Sequence, residues 1–262
     1  MNRSWRWPVI GVLAAIAITT AMDASGLLEF SALPLAALLD LFWYLQRLAR
    51  VEVGFIWAKA RHFGLALLHP ILVLGVVALA AFAMGAVNLE NTNWEKAGLD
   101  FVLMAVSTML VAIVTEEGFF RGWLWASLSR AGQTANGVLL WSSLAFTAWH
   151  LSAVLLPTGF NPPLSQVPVY LVNATLLGAI WGMLRLISGS VLVAAVAHGL
   201  WNGIAYVFFG FGAQVGALGI QKTAIYGPEV GVVGLLIDLI FAAVLWQACK
   251  SGRLATVNSI RA

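Results

Sequence analysis

The chain is short of two things, charge and cysteine. Only 10% of its 262 residues are Asp, Glu, Lys or Arg, and cysteine occurs once, as Cys249. An average soluble domain carries roughly 25% charged residues, so this shortage excludes an ordinary water-soluble fold. A single cysteine excludes an internal disulfide framework and a cysteine-rich metal site, and Cys249 reads as a small buried hydrophobe. No internal repeat is visible either. What is abundant is apolar: 61% of the residues are hydrophobic and 12 are tryptophan. The composition is that of an integral membrane protein. The net charge of +3 does not indicate a nucleic-acid partner, because the basic residues fall in short clusters between apolar spans.

Crossing a bilayer takes about 20 apolar residues. Eight stretches approach or meet that length: residues 7–28, 30–46, 65–88, 98–129, 137–156, 168–186, 190–210 and 229–249. The expected fold is therefore all-α, a polytopic transmembrane bundle of about eight helices forming one integral membrane domain over residues 1–262. Arg3 and Arg6 precede the first span as in a signal peptide, but a clear small-residue cleavage site is missing, so that span is read as retained. The 30–46 stretch is short and carries Pro34 and Asp40, features that also suit a helix lying flat at the interface. Charge sorting favours crossing. With eight spans and the N-terminus inside, one side receives 11 of the 14 basic residues and the other only Lys96 and Lys222, with Arg121 inside a span. That matches the positive-inside rule and places both termini in the cytoplasm. Without the 30–46 crossing, the basic loop at 47–61 would fall on the wrong side.

Tryptophans near span ends, such as Trp5, Trp7, Trp94 and Trp246, read mainly as interface anchors. "GAIWG" (Gly178 to Gly182) and "GLWNG" (Gly199 to Gly203) allow close helix packing.

The stretch "VTEEGFFRGW" places two carboxylates and an arginine directly after an apolar run. Charge at depth is expensive and needs a reason. In a helix, Glu117 and Arg121 stand four residues apart, with glutamate N-terminal to its partner, and can pair. Glu116 is turned about 100° away and has no partner on its own helix. Read for structure alone, both glutamates would merely neutralise Arg121 or snorkel to the surface. Two further stretches change the balance: "FTAWH" sets Phe146 and His150 on one face, and "HGLWN" does the same for His198 and Asn202. At 1.5 Å per residue, Glu116 and His150 each lie about 20 Å from the cytoplasmic end of their helices, Asn202 about 18 Å and His198 about 12 Å. Independent packing residues have no reason to share one layer, so these groups read as one buried site.

A glutamate desolvated in a membrane is moved towards the range of a general base. A neighbouring histidine can orient water, and a second histidine or an amide N–H can stabilise an oxyanion. The set suits amide hydrolysis without a serine or cysteine nucleophile. The same atoms could hold Zn²⁺ through Glu116, His150 and His198 with water in the open position, although His-Glu-x-x-His is absent. The sequence leaves metal and metal-free activation both open.

At these residues the chain resembles the CPBP intramembrane proteases, the CAAX protease and bacteriocin-processing family also called ABI, which includes Rce1-type enzymes. "EEGFFR" is similar to its Glu-Glu-x-x-x-Arg motif, "FTAWH" to Phe-x-x-x-His and "HGLWN" to His-x-x-x-Asn, in the family's order. The resemblance covers residues 98–210, which it implies are a four-helix catalytic core. It also implies that Glu116 activates water with His150, that His198 and Asn202 form the oxyanion site, that Glu117 and Arg121 hold the motif helix and that Phe146 packs beside His150. A glutamic-type or metal-dependent intramembrane endopeptidase is the expected function. Its expected partners are membrane lipid and a hydrophobic, lipidated or membrane-anchored peptide, with no nucleic acid. Short loops and cytoplasmic basic clusters suit a bacterial inner membrane.

Two rival classes share some of these features. Intramembrane acids and histidines also build proton- or ion-coupled transporters, and Asp40, Asp100, Arg185 and Asp238 lie in or near spans. Asp100 and Arg185 are expected at the interface, whereas Asp40 and Asp238 are candidates for pairing with other helices. Repeated halves or broken helices would favour transport, and the sequence displays neither. A non-catalytic immunity or scaffold protein on the same fold would be favoured by loss of a motif residue, and none is lost.

Overall fold

In the computed structural model, residues 4–90 and 92–251 are described. Arg3, Arg253 and Arg261, counted above with the basic side, lie outside them. The elements run α1 (Arg6–Ala24), a 3₁₀ turn (Leu28–Phe30), α2 (Pro34–Gln46), α3 (Arg50–Val53), α4 (Ala60–Ala83) and α5 (Trp94–Val114). A π-helical segment (Glu117–Leu124) leads to α6 (Trp125–Arg130), α7 (Ala135–Trp149), α8 (Leu151–Leu155), α9 (Val167–Ser188) and α10 (Val191–Ile204). A second π segment (Ala205–Phe209), a two-stranded antiparallel hairpin of β1 (Gly210–Phe211) and β2 (Gln214–Val215), α11 (Thr223–Tyr226) and α12 (Val232–Lys250) complete the fold. Eight helical stretches are long and apolar enough to span a membrane: Arg6–Ala24, Leu28–Gln46, Ala60–Ala83, Trp94–Arg130, Ala135–Leu155, Val167–Ser188, Val191–Phe209 and Val232–Lys250. The protein is an all-α polytopic bundle.

Helix boundaries follow local chemistry. Side-chain caps start three helices: Asn93 accepts from Lys96 N at 2.9 Å, Thr134 from Gly137 N at 3.2 Å and Ser190 from Leu192 N at 3.2 Å. Each supplies a partner to an amide that the first helical turn leaves free. Gly189 ends α9 with φ 72°, a conformation that costs other residues strain.

The fold is centred on α10, which packs against α5, α4 and α9. The glycines of "GLWNG" make the closest of these approaches. A Cβ on Gly199 would lie 2.6 Å from the Ala105 carbonyl oxygen, and one on Gly203 would lie 2.8 Å from Ala105 Cβ. "GAIWG" does the same for α9 against α7, with a Gly178 Cβ only 3.2 Å from Ser143 Cα. Lipid offers no hydrophobic drive between helices, so this small-residue contact is a main source of cohesion.

Three expectations need correction. The 98–129 stretch is not one α-helix: Thr115, with φ −105° and ψ −104°, breaks it, and the π segment follows. Five of the twelve tryptophans, Trp123, Trp125, Trp149, Trp181 and Trp201, are not interface anchors, because they are buried in the core. Arg185 is not interfacial. It is buried and donates to the Arg121 carbonyl at 3.1 Å and the Glu52 carbonyl at 2.9 Å, tying α9 to the chain on either side. Of the acids considered for helix pairing, Asp238 meets His69 on α4 at 3.1 Å with both side chains fully buried, whereas Asp40 is exposed. Asp100 pairs with Lys96 at the surface.

At the end of the bundle that carries residues 47–59, Arg130 clamps Glu52 through two hydrogen bonds of 2.6 and 2.7 Å. The Arg130 guanidinium holds the Glu52 carboxyl below the usual carboxylate range. The pair's support is present above the ordinary carboxylate pKa and is lost as pH falls through the lowered value. Because both side chains are about a third exposed, it is worth at most ~1 kcal/mol.

Gly199→Ala is expected to destabilise the folded protein by about 1–3 kcal/mol, the usual cost of overpacking, seen as a lower midpoint in thermal unfolding in detergent. Gly64→Ala is the control, since nothing lies within 4 Å of its added methyl; it should be neutral or stabilising by up to ~1 kcal/mol through helix propensity.

Candidate active site

The break at Thr115 and the π segment set the two adjacent glutamates on different tasks. A π turn widens the helix locally and commonly marks a functional site. Glu117 is fully buried; its Oε1 accepts from Arg121 Nη1 at 3.2 Å and lies 3.1 Å from His198 Nδ1. The Glu117–Arg121 pairing thus forms within one segment, and it extends across to α10. The Arg121 guanidinium also stands over the Phe146 ring, 4.2 Å from its centroid. This cation–π contact supplies favourable electrostatics where water is absent. Trp181 stacks on the His198 imidazole, with ring centroids 4.2 Å apart and planes 18° from parallel. His198 is therefore fixed by an acid on one nitrogen and an indole on its face.

Glu116 is partly open, 17% exposed, and points to the other histidine: its Oε2 is 3.8 Å from His150 Nε2 and 4.0 Å from His198 Nε2. His150 forms the C-cap of α7, and its Nδ1 lies 2.8 Å from the Phe146 carbonyl oxygen. A carbonyl can only accept, so Nδ1 carries the proton and donates. Nε2 is then a bare acceptor facing a carboxylate. Two acceptors 3.8 Å apart do not bond directly, but one water between them can donate a proton to each. The Phe146 ring packs against His150 at 4.4 Å, and Trp149 meets its other side at 4.7 Å, so the imidazole has little freedom to swing.

His150, His198 and Asn202 line a chamber of about 30 Å³, completed chiefly by Tyr170, Tyr206 and Glu229. That volume holds about two or three waters, by the roughly 10–15 Å³ that one water requires on this measure. His198 and Asn202 stand one turn apart on α10 with their polar ends in this space. The structure thus brings Glu116 within 3.8 Å of His150 and 4.0 Å of His198, places Asn202 and Phe146 on the chamber wall, and sets Glu117 and Arg121 behind them.

Sequence reasoning missed three features. Glu229 lies in the turn before α12, accepts from Trp201 Nε1 at 3.0 Å and reaches the chamber wall; among the described residues no cation pairs with it. Its signal was a lone acid in the apolar turn "YGPEV". Tyr206, four residues after Asn202, is the second. The third is the buried His69, stacked 5.2 Å from Trp201 behind the site. Tyr206 continues the four-residue spacing of His198 and Asn202, whereas Glu229 and His69 carry no periodic relation to the motifs.

The same donors were tested as a zinc site. Among the described residues, no three His, Cys, Asp or Glu side chains gather closely enough to hold a metal ion. The separations of 3.8 and 4.0 Å also exceed the roughly 3.3–3.5 Å between ligands of a tetrahedral zinc. The set does not fit a three-ligand metal centre as arranged.

Fold and site together define a polytopic helical membrane protein with a polar site enclosed among its spans. Comparison with known families narrows the class. Residues 98–204 match the family model described as type II CAAX prenyl endopeptidase Rce1-like. No curated protein matches the chain. That family is described as one of endopeptidases.

The Glu117–Arg121 pair should behave as structure. Glu117→Gln leaves the Arg121 guanidinium buried beside a neutral amide and is expected to cost about 3–5 kcal/mol, read as lost yield or a lower detergent melting midpoint. Glu116→Gln, at a partly open position, should leave both unchanged.

Proposed function

We propose that the chain is an intramembrane endopeptidase that hydrolyses a peptide bond in a membrane-associated protein or peptide with water activated by Glu116 and His150. The reading is carried by one observation: the His150 Nδ1 bond to the Phe146 carbonyl leaves Nε2 as an acceptor 3.8 Å from Glu116 Oε2. Water held between them has its lone pairs directed away from both acceptors. As its oxygen attacks the scissile carbonyl carbon, one proton passes to Glu116 and the carbonyl oxygen becomes an oxyanion. His198 as the imidazolium, its Nδ1 donating to Glu117 and its Nε2 carrying the second proton, and the Asn202 amide are the donors for that oxygen. Collapse re-forms the carbonyl, breaks the C–N bond and returns the proton from Glu116 to the leaving amine. Glu117, Arg121 and Phe146 act as positioning groups: Glu117 bonds His198, Phe146 packs against His150, and Arg121 pairs with the first and stands over the second.

In this reading residues 98–210 form the catalytic core within a single integral domain, and the steps need no Zn²⁺. The substrate is a hydrophobic, lipidated or membrane-anchored peptide, and compact loops with basic clusters at one end suit a bacterial inner membrane. A second reading, proton-coupled transport, draws on the buried His69–Asp238 pair and on the break of the fourth span at Thr115. Against it, that pair shares no residue with the chamber, and no internal repeat is visible in the sequence.

The test is cleavage of a panel of membrane-anchored and prenylated peptides by purified protein in detergent. Wild type should cleave, Glu116→Gln should be slower by about 100-fold or more, the usual weight of a general base, and a zinc chelator should leave the wild-type rate unchanged. Normal cleavage by Glu116→Gln would overturn the assignment. Ion flux in liposomes without cleavage would favour transport.

A further inference from the structure

We infer that the chamber is reached from the extracytoplasmic side, so that its substrate is an extended polypeptide segment exposed on that side of the membrane and not a cytoplasmic tail. The word substrate rests on the proposed protease reading; the side of access does not.

The first argument is which end of the bundle is open. The chamber shares Tyr206 and Glu229 with a neighbouring cavity of about 210 Å³. That cavity is walled by Phe160 to Gln166, before α9, and by the 210–230 segment with its hairpin. Tyr206 also floors a groove of about 1130 Å³ that follows α5 from Asn93 down to Ser107. All three spaces therefore meet at one tyrosine, and two of them open where residues 25–33, 84–93, 156–166 and 210–231 connect the helices. These connections are joined to one another: Asn88 N donates to the Leu218 carbonyl at 3.0 Å and Thr92 Oγ1 to the Ala217 carbonyl at 2.7 Å. In α-helical rise, His150 is only about 8 Å from this end of its span.

The opposite end is sealed. Val191 N donates to the Gly54 carbonyl at 2.9 Å, Ser190 Oγ to the Ile56 carbonyl at 2.5 Å, and the buried Arg185 fills the gap beneath. A Cβ on Gly54 would lie 2.5 Å from Arg185 Nε, so no space remains there. A cavity of about 560 Å³ at this end, beside Arg130 and Glu52, shares no lining residue with the chamber.

The second argument is charge. Among the described residues, eight lysines and arginines lie at or near the sealed end and two, Lys96 and Lys222, at the open end. Basic connections are retained in the cytoplasm, so the sealed end faces it and the open end faces away. The cavity next to the chamber offers uncharged hydrogen-bonding side chains, Asn161, Gln166, Gln214 and Gln221, beside Phe160 and Phe211. Amides and aromatic faces suit a peptide backbone with apolar side chains.

The experiment uses the full chain in intact cells with Cys249→Ser as background, carrying one new cysteine at a time: Gln221→Cys in the outer cavity, Tyr206→Cys at the shared wall and Ala49→Cys at the sealed end. A membrane-impermeant maleimide is added outside, before and after permeabilisation. Gln221→Cys and Tyr206→Cys should label in intact cells, and Ala49→Cys at least tenfold more slowly until the membrane is opened. If Tyr206→Cys does not fold, Ser107→Cys at the foot of the groove takes its place, with labelling expected only if the groove is water-filled. Labelling of Ala49→Cys from outside, or of Gln221→Cys without Tyr206→Cys or Ser107→Cys, overturns the inference. Because no arm reads cleavage, loss of the protease reading would leave these outcomes unchanged and separately visible.

Discussion

The structure turns on the burial of one guanidinium. Arg121 sits among helices at a depth where an unpaired charge would be costly, and its neighbours are arranged around that cost. Glu117 neutralises it, and the Phe146 ring at 4.2 Å and the Trp181 ring at 5.6 Å offer their faces to it. Each of those partners also holds a histidine. Glu117 bonds His198, Trp181 stacks on it, and Phe146 both packs against His150 and carries the carbonyl that fixes its Nδ1. Satisfying the arginine and orienting the imidazoles are one arrangement.

The small residues of α9 and α10 are the other half of that arrangement. A histidine on α10 can meet an acid on the π segment only if the backbones approach closely, and Gly199, Gly203 and Gly178 provide the approach. The Thr115 break then rotates the segment so that two consecutive glutamates face different partners. Access follows from the same packing: the end tied together by Arg185, Gly54 and Ser190 has no room, while the 210–231 connection leaves cavities beneath it.

Much of this was legible in the sequence because membranes constrain sequences strongly. Each span must be long and apolar, and each basic cluster must lie between spans, so the eight crossings could be read with ends displaced by a few residues. Charges at depth are rare enough that Glu116, Glu117 and Arg121 stood out, and equal depth along separate helices linked them to His150, His198 and Asn202. Other parts were illegible for equally physical reasons. Tryptophan occurs both at interfaces and in cores, and hydropathy does not distinguish the buried Trp123, Trp181 and Trp201 from the exposed Trp57. Arg185 lies at a span end in sequence, yet its guanidinium reaches carbonyls of two other elements.

By itself the sequence determined the class of solvent, the number of crossings, the sorting of charge and the identity of the polar groups at depth, since each follows from composition and distance along a chain. Tertiary structure alone decided which glutamate meets which histidine, which nitrogen of His150 is left free and which end of the chamber is closed. It also brought in Glu229 and Tyr206, carried by the 205–231 segment, and His69, carried by α4. Those outcomes rest on rotations about helix axes and on contacts between distant elements, which one-dimensional spacing does not encode.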